Sequence, residues 1–184
     1  MNQNKLLKFQ IFSTIFAIVL GTLLHFTFEW FGENTIVGAF SSINESTWEH
    51  LKLAFCPMLI TAIIGTFIFK DTYPNFLCSK NIGILTAISF ITIFFYTYTG
   101  ILGRNIAIID ILSFIIAIIL GEYVSYRLII SGYKCNNTFA IITLIALAFC
   151  FIYFTYNPPK IALFQDPITG NFGISTLETF GDGV

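Results

Sequence analysis

The sequence predicts an all-α fold: a polytopic membrane helical bundle of about five transmembrane helices, N-terminus inside and C-terminus outside. Three observations predict it. Only 10% of the 184 residues are charged while 56% are hydrophobic, where a soluble domain carries about a quarter charged residues. Mean hydropathy is +0.82. The apolar residues also gather into five blocks of about 20 residues, long enough to cross the hydrocarbon core, instead of the scattered stripes of amphipathic helices. Twenty-two Phe residues suit such an interior.

The first block, roughly 9–31, follows Lys5 and Lys8 and has the outline of a signal peptide. It lacks a small-x-small cleavage site and reads as a retained span. Residues 32–43 are too few to cross and too apolar for a free loop, so a short re-entrant or interfacial segment is expected there. The second span, about 46–69, opens on Asn44-Glu45-Ser46-Thr47-Trp48-Glu49-His50-Leu51-Lys52. Ser46 and Glu49 have capping-box spacing, with the hydroxyl taking one orphan N–H and the carboxylate reaching back to the other. Spans three to five fall at about 82–102, 106–128 and 138–156, the last stopped by Asn157-Pro158-Pro159. One integral membrane domain covers 1–174. Within it an outer tail, 157–174, is expected to fold back over the polar end of the bundle, while 175–184 reads as a disordered tail.

Orientation follows from Lys and Arg. Lys5, Lys8, Lys70, Lys80, Arg127 and Lys134 lie on the N-terminal side, and Lys52, Arg104 and Lys160 on the other. Six against three puts the N-terminus in the cytoplasm of a cell-membrane protein. Trp30 and Trp48 then mark the outer interface, where indoles prefer to sit.

Depth counting assembles a candidate site. His25 lies about 9 Å inside the end of span one at 1.5 Å per residue. Glu29 stands one turn above it on the same face, and Asp110 enters span four to a similar depth. Glu49 and His50 occupy the first turn of span two, and Arg104 closes the turn above Asp110. Charges in a span usually face the protein interior or a water-filled cavity, so these groups predict a polar vestibule open to the outside. His25, Glu29, Glu49, His50 and Asp110 are the candidate metal ligands, with Glu45, Arg104, Tyr96 and Asp166 as further polar lining. Imidazole with carboxylate suits a divalent ion such as zinc.

Pro57, seven residues after His50, frees the carbonyl of Leu53 between them, or else simply bends the helix. Small and polar stripes read as helix-packing faces: Ser89, Thr92, Tyr96, Thr99 and Gly103 in span three, Asp110, Ser113, Ala117 and Gly121 in span four, Thr143, Ala146, Cys150, Tyr153 and Asn157 in span five. Glu122 is expected to snorkel at the inner end of span four. Cys56, Cys78, Cys135 and Cys150 have no metal or redox spacing and read as small apolar filler.

The Asn-Glu-Ser-x-Trp-Glu-His-Leu-Lys run with Pro57, Gly21-Thr22-Leu23-Leu24-His25-Phe26, Gly103-Arg104-Asn105 with Asp110, and Phe164-Gln165-Asp166-Pro167-Ile168-Thr169-Gly170 with Phe172-Gly173-Ile174 together resemble a family. It is a family of small bacterial multi-pass membrane proteins of unknown function, and the likeness spans nearly the whole chain. The resemblance implies an integral membrane protein and carries over no catalytic residues.

A net charge of −1 offers no basic surface to nucleic acid. Four readings of the vestibule stay open. It binds a divalent cation; it handles a small solute or protons for transport, which would need a homo-oligomer or a membrane partner subunit; its charges pair only with one another in a structural accessory subunit; or it is a metal-dependent membrane hydrolase. A Ser or Cys nucleophile is disfavoured, since none has a His at suggestive spacing.

Overall fold

The structure, a computed structural model, describes residues 3–174. The expected tail at 175–184 lies outside the described residues. Six α-helices follow one another: α1 (Gln3–Trp30), α2 (Thr35–Gly38), α3 (Thr47–Phe69), α4 (Phe76–Leu102), α5 (Ala107–Ser131) and α6 (Asn137–Tyr156), then a 3-10 turn, Ala162–Phe164. All but α2 are long and apolar enough to cross a membrane. The fold is the all-α multi-span bundle that composition predicts. The helices overrun the expected spans, most at α1 and α4, so Lys80 sits inside a helix and not in the preceding turn.

α3 is the central helix, 56% buried over its most apolar window against 22–28% for the other four. Its Leu51, Ala54, Phe55, Met58 and Ala62 meet Ala17 of α1, Ile84, Ala87 and Ile91 of α4, Ala117 and Ile118 of α5, and Leu144 and Phe151 of α6. The other helices turn large apolar side chains outward, among them Ile142, Ile145 and Phe149 of α6, as a lipid-solvated surface requires.

Small residues let the helices close. A Cβ on Gly83 would lie 2.4 Å from the Gly121 oxygen, and one on Gly121 2.5 Å from the Gly83 oxygen, so α4 and α5 touch backbone to backbone. Of the three polar stripes, only that of α5 marks the buried face: Ser113, Ala117 and Gly121 are buried. In α4 the buried positions are Ala87, Ile91 and Tyr98, while Ser89 and Tyr96 are exposed. In α6 they are Ala140, Leu144, Phe151 and Thr155. The reason is local. Thr92, Thr97, Thr99 and Thr143 each donate to the carbonyl four residues back, so a hydroxyl needs no neighbouring helix and can face lipid.

Toward the N-terminal end a second correction appears. Glu122 does not snorkel; it is buried against Lys80 at 2.6 Å, with side chains 2% and 0% exposed. Lys80 also donates to Ser13 at 3.0 Å, and Ser13 lies 2.7 Å from Thr61. Gln10 donates to the Glu122 carbonyl and to Ser125. This network ties α1, α3, α4 and α5 together. Cys78 and Cys135 are not filler either: a disulfide joins them, with Cα atoms 6.1 Å apart.

Candidate metal centre

The entry to α3 is built by its own polar residues. The Asn44 side chain accepts from Ser46 N at 2.9 Å and donates to the carbonyl of Gly173 at 3.1 Å. The Ser46 hydroxyl accepts from Glu49 N at 3.4 Å, and its carbonyl accepts from His50 N at 3.2 Å. The expected capping box is therefore half formed. Asn44 already occupies the Ser46 N–H, and the Glu49 carboxylate turns inward.

There Glu49 pairs with Lys52 at 2.6 Å, both side chains buried. It accepts from Ile43 N at 3.2 Å and from the Thr155 hydroxyl at 3.0 Å. Lys52 adds the Gly38 carbonyl at 2.8 Å and Thr155 at 2.7 Å. Each Lys52 proton thus has a partner, and one ion pair fastens α2, α3 and α6. Glu49 is accordingly turned away from the two histidines.

His25 and His50 come together because α1 and α3 cross closely one turn below them. Pro57 has no N–H, so the Leu53 carbonyl lacks its helical donor. Gly21 packs onto that carbonyl, and a Cβ there would sit 2.4 Å from the oxygen. Gly21 to His25 is four residues and Leu53 to His50 is three, so both rings rise from the same crossing. Their centroids are 5.2 Å apart. Glu45, from the loop before α3, bridges their Nε2 atoms: His25 Nε2 lies 3.7 Å from its Oε1, and His50 Nε2 lies 3.4 Å from its Oε2. One ligating atom from each of the three falls within 4.8 Å of the others. His50 Nδ1 is committed to the Ser46 carbonyl at 2.9 Å. The His50 ring holds the Glu45 carboxyl below its ordinary pKa, against the burial that pushes it up.

The three groups line one end of a cavity of about 400 Å³ between α1, α3, α4 and α5. Asp110 lines it too, hydrogen-bonded by the Tyr98 hydroxyl, which also accepts from Ile106 N at 3.2 Å. Pro167 and Ile168 reach it from the C-terminal segment. That segment is anchored by Phe164, whose ring lies 4.8 Å from Trp48, and by the Asn44 contact with Gly173.

Of the residues expected at the site, His25, His50, Glu45 and Asp110 face this cavity. Glu29 and Arg104 are exposed, and among the described residues neither forms an ion pair. Tyr96 is 39% exposed and points away. Asp166 is buried in its own turn, accepting from Ile168 N at 2.8 Å and Thr169 N at 3.3 Å. Tyr98 was not singled out from sequence, although it precedes Asp110 across the Gly103 turn at the same depth. Glu45, expected only as lining, bridges the two Nε2 atoms.

The model of a family described as a family of unknown function (DUF6512) matches residues 1–174. No curated protein and no solved structure matches the chain.

Proposed function

Since the chain belongs to this family of unknown function, which lends it no activity, we propose from geometry that it is an integral membrane protein binding a divalent cation, zinc or similar, at His25, Glu45 and His50. The carrying observation is the pair of separations around Glu45, 3.4 and 3.7 Å. Both are longer than the ordinary hydrogen bond of about 2.7–3.2 Å, the shorter being at most a weak one. Ligands about 2.0–2.2 Å from a tetrahedral zinc lie roughly 3.3–3.6 Å from one another. Ser46, holding His50 Nδ1 at 2.9 Å, fixes the tautomer that leaves the Nε2 lone pair for the metal.

Three protein ligands leave a fourth position open to water or a substrate atom. Asp110 beside the same cavity favours a second reading, metal-dependent hydrolysis, in which His25, Glu45 and His50 would hold the ion, the ion would supply Lewis-acid chemistry, and Asp110 would be the general base. All ligands come from one chain, so the reading requires neither homo-oligomer nor partner subunit. The Lys and Arg distribution supports an orientation in which the site faces outward.

Isothermal titration of the purified full chain with zinc tests the proposal. One tightly bound ion is expected, lost in His50→Ala and in Glu45→Gln. A native protein that takes up no zinc, or uptake indifferent to both substitutions, overturns it.

A further inference from the structure

The cavity beneath the cluster is segregated along its depth. Glu45, His50 and Asp110 line it near the helix ends, whereas Leu53, Ile91 and Phe114 line it further along the helices, where the hydroxyls of Thr22 and Ser113 are spent on carbonyls of their own helices. A hydrophilic solute would meet charged partners only near the helix ends, whereas an apolar chain fills the rest and recovers dispersion contacts that an empty space forfeits.

The side walls are equally telling. Phe26 of α1 and Ile111 of α5 both line the cavity and are also 42% and 56% exposed. Exposed apolar surface of α1 and of α5 thus adjoins the cavity. Deeper in, α1 and α5 close against each other: a Cβ on Gly21 would lie 2.6 Å from Phe114 Cζ, and further on Ser13 donates to Glu122 at 2.9 Å. An entry between α1 and α5 is left room only at the end that carries the histidines. A volume of about 400 Å³ lies near the lower end of the range of about 300–1,000 Å³ typical of pockets for one small ligand.

We propose that the cavity takes the chain of a single-chain amphiphile entering from the bilayer between α1 and α5, with an oxygen donor of its head group at the open position of the cation. The head-group half rests on the cation reading above; the chain half rests on the cavity itself.

The test uses the full chain in lipid nanodiscs and a medium-chain fatty acid carrying a photoreactive group at its chain end. Labelled peptides should contain Leu53, Ile91 or Phe114 in large excess over Ile142, Ile145 and Phe149 of the lipid-facing α6. Unlabelled fatty acid should compete, and added zinc should increase the labelling several-fold. Ile91→Trp, which fills the interior from α4, should abolish it while zinc titration stays as in the native chain. Should that variant not fold, the peptide map of the native chain decides alone. Labelling spread evenly over all helices, without competition, overturns the proposal. Competed labelling of the interior that ignores zinc, in a chain that binds zinc by titration, overturns the head-group half and leaves the cation reading standing. Competed labelling in a chain that binds no zinc sinks the cation reading and its head-group contact, and upholds the chain half.

Discussion

His50 Nδ1 donates to the carbonyl oxygen of Ser46, one turn earlier in the same helix, at 2.9 Å. A carbonyl only accepts, so Nε2 is the atom left to face the Glu45 carboxylate at 3.4 Å. Without a metal, a proton on Nε2 pairs with the carboxylate; when that proton leaves, the freed lone pair and the carboxylate face the same point, where a cation can replace it. The residue that caps α3 with its hydroxyl thus also sets the tautomer of the proposed ligand.

Ligation and mere proximity can be separated among the carboxylates. Glu45→Gln should weaken zinc binding by more than about tenfold, since even residues behind the ligands cost 10–100-fold when removed. Glu29→Gln and Glu49→Gln should leave it unchanged, because Glu29 is exposed and Glu49 is spent on Lys52. Competition against a chromogenic chelator measures all three. A larger loss from Glu29 than from Glu45 would restore the ligand set that depth counting suggests.

Depth and face were legible in the sequence to different degrees. Counting residues from the span ends brings His25, His50 and Asp110 to one level, and all three line the cavity. Counting cannot say which way Glu49 turns. That depends on Asn44 taking the Ser46 N–H and on Lys52 reaching Gly38 and Thr155, contacts that join distant parts of the chain. The stripes of α4 and α6 misled for a related reason. In lipid, polarity does not mark the inner face once a hydroxyl is satisfied by its own helix. Lys80 and Glu122, 42 residues apart, carry no spacing that announces their pairing.

Acid should weaken the cluster with a defined sign. The folded state lowers the Glu45 pKa from its ordinary 4.5, chiefly through the His50 ring. Folding therefore favours the ionised carboxylate. This stabilisation is complete above the ordinary value and is lost as pH falls through the lower folded value. Thermal unfolding of the solubilised protein across the acid range should show a steeper decline for the native chain than for Glu45→Gln. Its side chain is 41% exposed, so the difference is small. Identical slopes would remove the His50–Glu45 interaction from the account.

The two buried ion pairs should behave as structural clamps. Lys80→Met leaves Glu122 charged and unpaired, which costs about 3–5 kcal/mol. Lys80→Met combined with Glu122→Leu should recover most of that loss, since an apolar pair of similar volume is often neutral. Neither variant should alter zinc binding, because Glu122 belongs to the opposite end of the bundle. Thermal unfolding and zinc titration of the single and double variants check both statements. A double variant no more stable than the single one would mean that Ser13, Gln10 and Ser125 need the charges in place.

The last prediction concerns the orientation, on which charge and covalent chemistry pull apart. Lys80 and Lys52 are buried in ion pairs and no longer count as loop charges. Lys5, Lys8, Lys70, Arg127 and Lys134 remain on the N-terminal face, against Arg104 and Lys160 on the other. Five against two still predicts a cytoplasmic N-terminal face. Cys78 and Cys135 lie on that face, and cytoplasmic thiols are kept reduced. In cells growing normally the pair should therefore be open, closing only on exposure to an oxidant. A membrane-impermeant maleimide should label Asn171→Cys on intact cells and leave Cys78 and Cys135 untouched, while a permeant reagent should reach all of them. Rapid alkylation at lysis, followed by non-reducing electrophoresis, reads the native pair directly. If Cys78 and Cys135 are already joined in unstressed cells and Asn171→Cys resists the impermeant reagent, the bundle sits the other way up and the histidine cluster faces the cytoplasm.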